Sequence, residues 1–533
     1  MTSKVVIIGL DGATWNIIDK LIYDNKLPTF KYLIENGTKG VMESTIPPIS
    51  PSAWASIYTG CKPSKHGIFG FMKRKNNSYF YRPICSKDIN VPVIWDILSK
   101  NGLKSVIINA MFMYPPNPIN GILITGLGTP SKDSNFVYPP SYKNFIINNF
   151  PKYDIDFNED LLIVSDNIDG FIHIIEEITM EQMKLTKYMM KNEDWDFLFS
   201  IFRALDVVQH YFWNDKDIVY KFYNIFDDFL NDIINDYLKI HDFNLFIISD
   251  HGFSPVKKYF CVNNWLEDVG LLKTHNTRNF KLISAETFKK IFLRLKMRSL
   301  VWKLKRCNVL ERILRIIPSE EFNYLNKVIW DETKAYYYEG SDGIININLV
   351  NREPLGAVTT NEYKQVLNYI VSKLNELKDP ENKNKIIKGI YTKSDLFGID
   401  DLYLHDIFIL MNDGYRAVSY NKIDGRSIFM PPIHGRTLRP ADHHIDGVFI
   451  AYGSNIKLNN NINKVKLWDI VPTVLYIFNI PTEPYMDGTI LKDIFRDVAI
   501  IQHTSKKRYK NKKFHTKEKI KSNLRKLKRK YKV

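Results

Sequence analysis

Five short runs in this sequence place carboxylates, imidazoles and one hydroxyl just past apolar stretches. They are Gly9-Leu10-Asp11-Gly12, Ser50-Pro51-Ser52-Ala53-Trp54 ending in Thr59-Gly60, and Arg203-Ala204-Leu205-Asp206 with His210 four residues on. The other two are Ile247-Ile248-Ser249-Asp250-His251-Gly252 and Asp442-His443-His444-Ile445-Asp446-Gly447. Singly each is ordinary. An Asp at a strand end is usually a cap or turn residue, and an Asp/His pair at i, i+4 is usually a solvated ion pair on one helix face. Together, three carboxylates, three histidines and a hydroxyl are the donor set of two adjacent metal sites with nitrogen and oxygen ligands.

Ser50 is the candidate nucleophile. Pro51 suits the first position of a helix, which the spacing predicts to run through Trp54 and Tyr58 and stop at Gly60. Ser50 then occupies the N-cap, where free backbone N–H groups favour negative charge. A hydroxyl there that also binds a divalent cation becomes an alkoxide near neutral pH. Ser52 is the neighbouring candidate, but it falls inside the helix.

The elements that must hold these groups are read from periodicity. Val5 to Leu10, Leu103 to Asn109, Phe197 to Phe202 and Asn244 to Ser249 are short apolar runs between helical segments, the first followed by a helix over Asn16 to Leu33. This alternation predicts an α/β fold, a mostly parallel central sheet with helices on both faces. Reactive residues in such folds collect just past the carboxyl ends of the strands. Strands are expected again at Tyr336 to Tyr338, Ile344 to Asn348, Ile386 to Tyr391 and Ile407 to Met411, with a helix near Tyr363 to Leu377. The expected organisation is a catalytic core over 1–270 and 331–500, interrupted by a basic helical insertion or cap over 271–330 and followed by a Lys-rich tail over 501–533.

The formal net charge is +16 over 533 residues, which suggests a nucleic-acid partner until the charge is located. Residues 506–532 carry 15 Lys/Arg against one acid, and residues 271–330 carry 14 against four. What remains holds 45 basic and 53 acidic residues, so the core is not basic. Ile520, Leu524, Leu527 and Tyr531 fall on one helical face of the tail, a pattern suited to anionic lipid or RNA as well as to a solvated tail. Four scattered cysteines with no CxxC pair point to a reducing, cytoplasmic setting. No apolar stretch approaches the roughly 18–20 residues of a membrane span. The oligomeric state is not legible.

In order and over residues 1–270 and 331–495, the five motifs resemble the alkaline phosphatase superfamily, specifically its type I phosphodiesterase/nucleotide pyrophosphatase branch and the predicted phosphohydrolase/phosphomutase proteins within it. Ser50 stands ten residues before Gly60, where the family carries its nucleophile, and Lys65-His66-Gly67-Ile68 continues the likeness. Trp468-Asp469-Ile470-Val471-Pro472-Thr473 with Met486-Asp487-Gly488 resembles the closing signature. By position, the resemblance implies one metal held by Asp206, His210 and His443, and another held by Asp11, Asp250, His251 and Ser50. Zinc suits this set, with manganese the alternative. It also implies a phosphate-ester substrate and a phosphoserine intermediate. One departure follows Ile68: nucleotide pyrophosphatases carry an Asn that contacts a phosphate oxygen, whereas this chain reads Phe69-Gly70-Phe71. Cys61-Lys62-Pro63-Ser64-Lys65 imitates a sulfatase signature, but it lies past Gly60 rather than at Ser50. His66 reads as a structural histidine.

Two other readings compete with a phosphodiesterase or phosphatase. One is a phosphomutase on a small metabolite, with residues 271–330 as the water-excluding cap. The other is a non-catalytic polyanion- or membrane-binding protein.

Overall fold

The computed structural model describes residues 4–75, 78–157, 159, 168–238, 243–275, 327–338, 340, 342–419, 426–431 and 439–497. Most of the expected insertion, the Lys-rich tail and Cys307 lie outside the described residues.

The chain is organised on a nine-stranded, mostly parallel sheet. Across it the strands run Asn460–Lys466, Thr38–Glu43, Asp446–Tyr452, Phe243–Ile248, Lys4–Leu10, Phe197–Phe202, Ser105–Ala110, Gly121–Thr125 and Val137–Tyr138. Lys4–Leu10 is central and parallel to both neighbours. Asp446–Tyr452 is antiparallel to both of its own. Successive side chains of a strand face opposite ways, so each central strand feeds two cores. Val6, Ile8 and Leu10 join one with Leu198 and Ile247. Val5 and Ile7 join the other with Phe199 and Ile248. The helices Trp15–Tyr23, Ala204–Phe212 and Lys216–Ile233 cover the first face. Ser50–Thr59, Ile94–Lys100 and Ile470–Ile477 cover the second. Each fully buried aliphatic side chain contributes roughly 1.5–3 kcal/mol of transfer free energy, so the strand ends are rigid platforms.

The helix expected over Asn16 to Leu33 is two helices, Trp15–Tyr23 and Pro28–Glu35. The break comes from Pro28, which cannot continue a helix but suits the opening of the next one. The Ser50–Thr59 helix stops as expected at Gly60, whose φ of 68° is left-handed. Its start is one residue earlier than expected: Ile49 is the cap residue and Ser50 the first helical residue.

Residues 335–411 build a second, antiparallel sheet in the order Ala335–Tyr337, Ile344–Ile347, Ile407–Met411 and Ile387–Thr392. With the Thr360–Glu376 helix it encloses its own apolar cluster. A strand, Gly252–Cys261, leaves the end of the central sheet and pairs at its start with Ala441–His444. Among the described residues no helix is long and apolar enough to cross a membrane.

Candidate active site

Register brings the motifs together. Leu10 pairs with Phe202 and Gly9 with Ile248, so Asp11, Arg203 and the Ser249-Asp250-His251 run leave the sheet side by side at its carboxyl edge. Asp206 and His210 share one face of the Ala204–Phe212 helix. Antiparallel pairing sets His443 against Phe253. Adjacent strand residues point to opposite sides, so His443 faces the cluster while His444 turns outward to Asp413, 3.3 Å away. The Ser50 hydroxyl does not cap its helix; its Oγ lies 3.1 Å from His251 Nε2. Ser52 points away, donating to the Ile68 carbonyl at 3.0 Å.

All three histidines spend the same nitrogen on the backbone. Nδ1 of His210, His251 and His443 lies 3.1, 3.1 and 3.0 Å from the carbonyls of Ala441, Gly252 and Pro48. A carbonyl only accepts, so Nδ1 carries the hydrogen, and each ring in its neutral form presents an Nε2 lone pair. These lone pairs converge on carboxylates. His210 Nε2 lies 3.1 Å from Asp206 Oδ1 and 3.0 Å from His443 Nε2, and His443 Nε2 lies 3.3 Å from the same oxygen. His251 Nε2 lies 3.2 Å from Asp250 Oδ2 and 3.5 Å from Asp11 Oδ1. Those three oxygens, Asp11 Oδ1, Asp206 Oδ1 and Asp250 Oδ2, are buried with no hydrogen-bond partner.

Acceptors facing acceptors in a buried space cost free energy unless a cation lies between them. Burial, followed by the charges of Asp250 and Asp206, raises the Asp11 carboxyl well above the usual range. Burial pushes Asp250 up to about 7. Burial opposes ionisation of Asp206 too, but His210 and His443 in their protonated forms bring it well below the usual range, and Asp442 and Asp206 in turn raise His443 against its burial. Burial also lowers His210 to about 4, so its imidazole is neutral. Two groups of donor atoms, Asp206/His210/His443 and Asp11/Asp206/His251, each lie within 4.8 Å of one another. The orphaned oxygens and imidazole nitrogens fit divalent cations with N/O ligands. Asp206 stands in both groups, whereas the resemblance assigns it to one.

Several neighbours, inside the motifs and outside them, were given no role by the sequence. Trp54 donates from Nε1 to Asp11 Oδ2 at 3.1 Å, and Gly9 makes room for it, since a Cβ there would meet the Trp54 ring at 2.6 Å. Arg203 donates to Asp156 at 2.7 Å and to Glu159 at 2.8 Å, and reaches Asp206 at 3.3 Å. Arg439 donates from Nη1 to His210 Nε2 at 2.8 Å. Arg416 pairs with Asp442 at 2.7 Å, behind His443. The spacing of Trp54 to Ser50, one helical turn, was the available signal for the first; Glu159 and Arg439 lie in unpatterned loops and gave none.

The remaining features are structural. His66 bonds Ser56 Oγ at 2.9 Å and accepts the Ile68 amide at 3.1 Å. Burial pushes the Cys61 thiol up to about 11. Phe69 packs against His405 and Phe408, and Phe71 against Phe112, so the segment that departs from the family pattern is an apolar anchor. The closing signature fastens the far end of the Ser50 helix: Asp487 accepts from the Lys62 amide at 2.9 Å and pairs with Lys65 at 2.7 Å.

The family described as type I phosphodiesterase/nucleotide pyrophosphatase matches over residues 5–444. Comparison with curated protein sequences finds no match. Among solved structures, human ectonucleotide pyrophosphatase/phosphodiesterase 5 aligns with a TM-score of 0.52 and 12% identity over 93% of this chain and 100% of its own. Its murine counterpart, as an inactive variant in complex with AMP, aligns at 0.52 and 13% over 92% and 100%. Phosphonoacetate hydrolase from Sinorhizobium meliloti 1021, in complex with phosphonoformate, aligns at 0.53 and 13% over 90% and 95%. At such identity these likenesses speak for the fold.

Proposed function

The chain belongs to the type I phosphodiesterase/nucleotide pyrophosphatase family of the alkaline phosphatase superfamily, and from that premise we propose a two-metal hydrolase of phosphate esters that works through a phosphoserine at Ser50. The family makes it a phosphoester hydrolase of the phosphodiesterase/pyrophosphatase type.

Asp206, His210 and His443 would hold one cation, and Asp11, Asp250, His251 and Ser50 would hold the other, with Asp206 within reach of both groups. Bound zinc or manganese supplies Lewis-acid charge that lowers the hydroxyl pKa and offsets charge on the transferring phosphate. Ser50 Oγ attacks phosphorus in line with the leaving oxygen, whose bond to phosphorus breaks as the phosphoserine forms. Water then hydrolyses the phosphoserine and frees Ser50. The opening turn of the Ser50–Thr59 helix favours the developing negative charge. Trp54 keeps Asp11 oriented, and the three Nδ1–carbonyl bonds aim the imidazoles.

The observation that carries this reading is the convergence of three orphaned carboxylate oxygens and three Nε2 lone pairs beside Ser50 Oγ. A cytoplasmic setting is supported by the free thiols of Cys61, Cys85 and Cys261. The test is turnover of paired aryl monoester and diester substrates by protein loaded with zinc or manganese. Ser50→Ala should lose on the order of 10³-fold or more in kcat while retaining its metal. Full activity in Ser50→Ala would remove the phosphoserine route, and an inert wild type would remove the hydrolase itself.

A further inference from the structure

Arg439 faces the Asp206–His210–His443 group from outside the central sheet. Its main chain is pinned: the Tyr259 hydroxyl donates to the Arg439 carbonyl at 2.6 Å, and the Val256 amide donates to the Pro440 carbonyl at 2.8 Å. The strand bearing His443 begins directly after, at Ala441. Its guanidinium lies over the Tyr211 ring at 5.7 Å and gives Nη1 to His210 Nε2 at 2.8 Å. Nη2 is 3.5 Å from Glu159 Oε2. Glu159 is held closer by Arg203, at 2.8 Å, and by the Tyr211 hydroxyl, at 2.6 Å, so it restrains Arg439 weakly.

We propose that Arg439 is a phosphate-binding, specificity-determining residue that favours a phosphate with three terminal oxygens, the dianion of a monoester, over a diester. The proposal rests on the phosphoester-hydrolase reading of the same site. One lone pair cannot serve both a guanidinium N–H and a cation, so a cation at His210 Nε2 releases Nη1. The pinned main chain keeps the released donors beside the site, and the side chain is 31% exposed, so a ligand can reach it. A planar pair of N–H donors next to divalent charge is matched by an anionic oxygen. A monoester offers a charged oxygen where a diester carries its second carbon substituent. Opposite that carbon the guanidinium would lose a charge-assisted bond.

Arg439→Gln and Arg439→Lys test this, with bound metal measured to verify an intact site. The first readout is calorimetric binding of inorganic phosphate to the metal-loaded proteins. Arg439→Gln should weaken it roughly 10- to 100-fold, the size of a charge-assisted bond, with Arg439→Lys recovering part. The second is the monoester-to-diester ratio of kcat/KM, which should drop at least about tenfold in Arg439→Gln. Phosphate binding within about twofold of wild type, or loss of both substrates in proportion, overturns the proposal. If the wild type hydrolyses neither ester, the hydrolase reading fails, and phosphate calorimetry alone still decides the role of Arg439.

Discussion

The imidazole of His443 lies against that of His251, ring centroids 3.7 Å apart and planes 21° from parallel. One ring belongs to the Asp206–His210 group and the other to the Ser50–Asp11–Asp250 group, so the two candidate metal positions share a wall. That wall depends on a strand of four residues, Ala441–His444, paired in one register with Gly252–Cys261.

Neighbouring histidines on that strand should therefore differ sharply. His443→Ala removes an Nε2 from the site and should lower metal affinity by about 10- to 100-fold or more. His444→Ala cuts a contact to Asp413, which is exposed, and should stay within about threefold. Metal titration of both variants by calorimetry distinguishes them. Equal losses would mean that register, not side-chain direction, is what the pair supplies.

His66 predicts a pH effect on stability. Burial pushes its pKa down to about 3 from the ordinary 6.5. The unfolded state thus binds the proton more readily. The neutral, buried imidazole contributes stability that is fully present above about pH 6.5 and lost as pH falls toward 3. Wild type should lose up to roughly 1.4 kcal/mol per pH unit through this group within that window. His66→Gln keeps an acceptor for the Ile68 amide and a donor for Ser56 but does not titrate. Urea unfolding between pH 4.5 and 7.5 should show a shallower acid decline for the variant, and parallel curves would refute the assignment.

The strands were legible wherever burial on both faces left a continuous apolar run, as at Phe197–Phe202, and the strand expected at Ile407 to Met411 has those bounds. The separate antiparallel sheet of residues 335–411 was seen as strands but not as a unit. Pairing between distant segments, such as Ile344–Ile347 with Ile407–Met411, leaves no periodicity along the chain. At the site, residues at strand ends could be found because position relative to an apolar run is a one-dimensional signal. Glu159 is brought in by tertiary packing, and Arg439, though it stands just before the Ala441–His444 strand, has no residue pattern of its own that marks it.

Trp54 illustrates how a core residue can act on chemistry. Trp54→Phe keeps an aromatic ring in the pocket that Gly9 opens but removes the donor to Asp11 Oδ2. A buried acceptor left unpaired costs about 1–3 kcal/mol, so the melting temperature should fall. Asp11 also loses its orientation, so kcat of the metal-loaded enzyme should drop on the order of 10-fold. A stability loss with unchanged kcat would confine Trp54 to packing.

Removal of metal should expose the repulsion built into the site, and one substitution should reverse the usual direction of damage. Asp11, Asp206 and Asp250 are all buried, with an orphaned oxygen each. With a chelator present, wild type must hold these carboxylates together without a cation. Saturation at about 100 times Kd should then stabilise the fold by roughly 2.7 kcal/mol. Asp250→Asn keeps an oxygen for the Gly12 amide, which Asp250 Oδ1 accepts at 3.3 Å. Its new amide N–H faces His251 Nε2, the lone pair now 3.2 Å from Oδ2. In chelator the variant should therefore be more stable than wild type by about 1–3 kcal/mol, while gaining much less on addition of zinc or manganese. Thermal melts of both proteins, with and without metal, give the four numbers. If Asp250→Asn is the less stable protein in chelator, the three carboxylates are not in electrostatic conflict, and the case for a cation between them loses its physical basis.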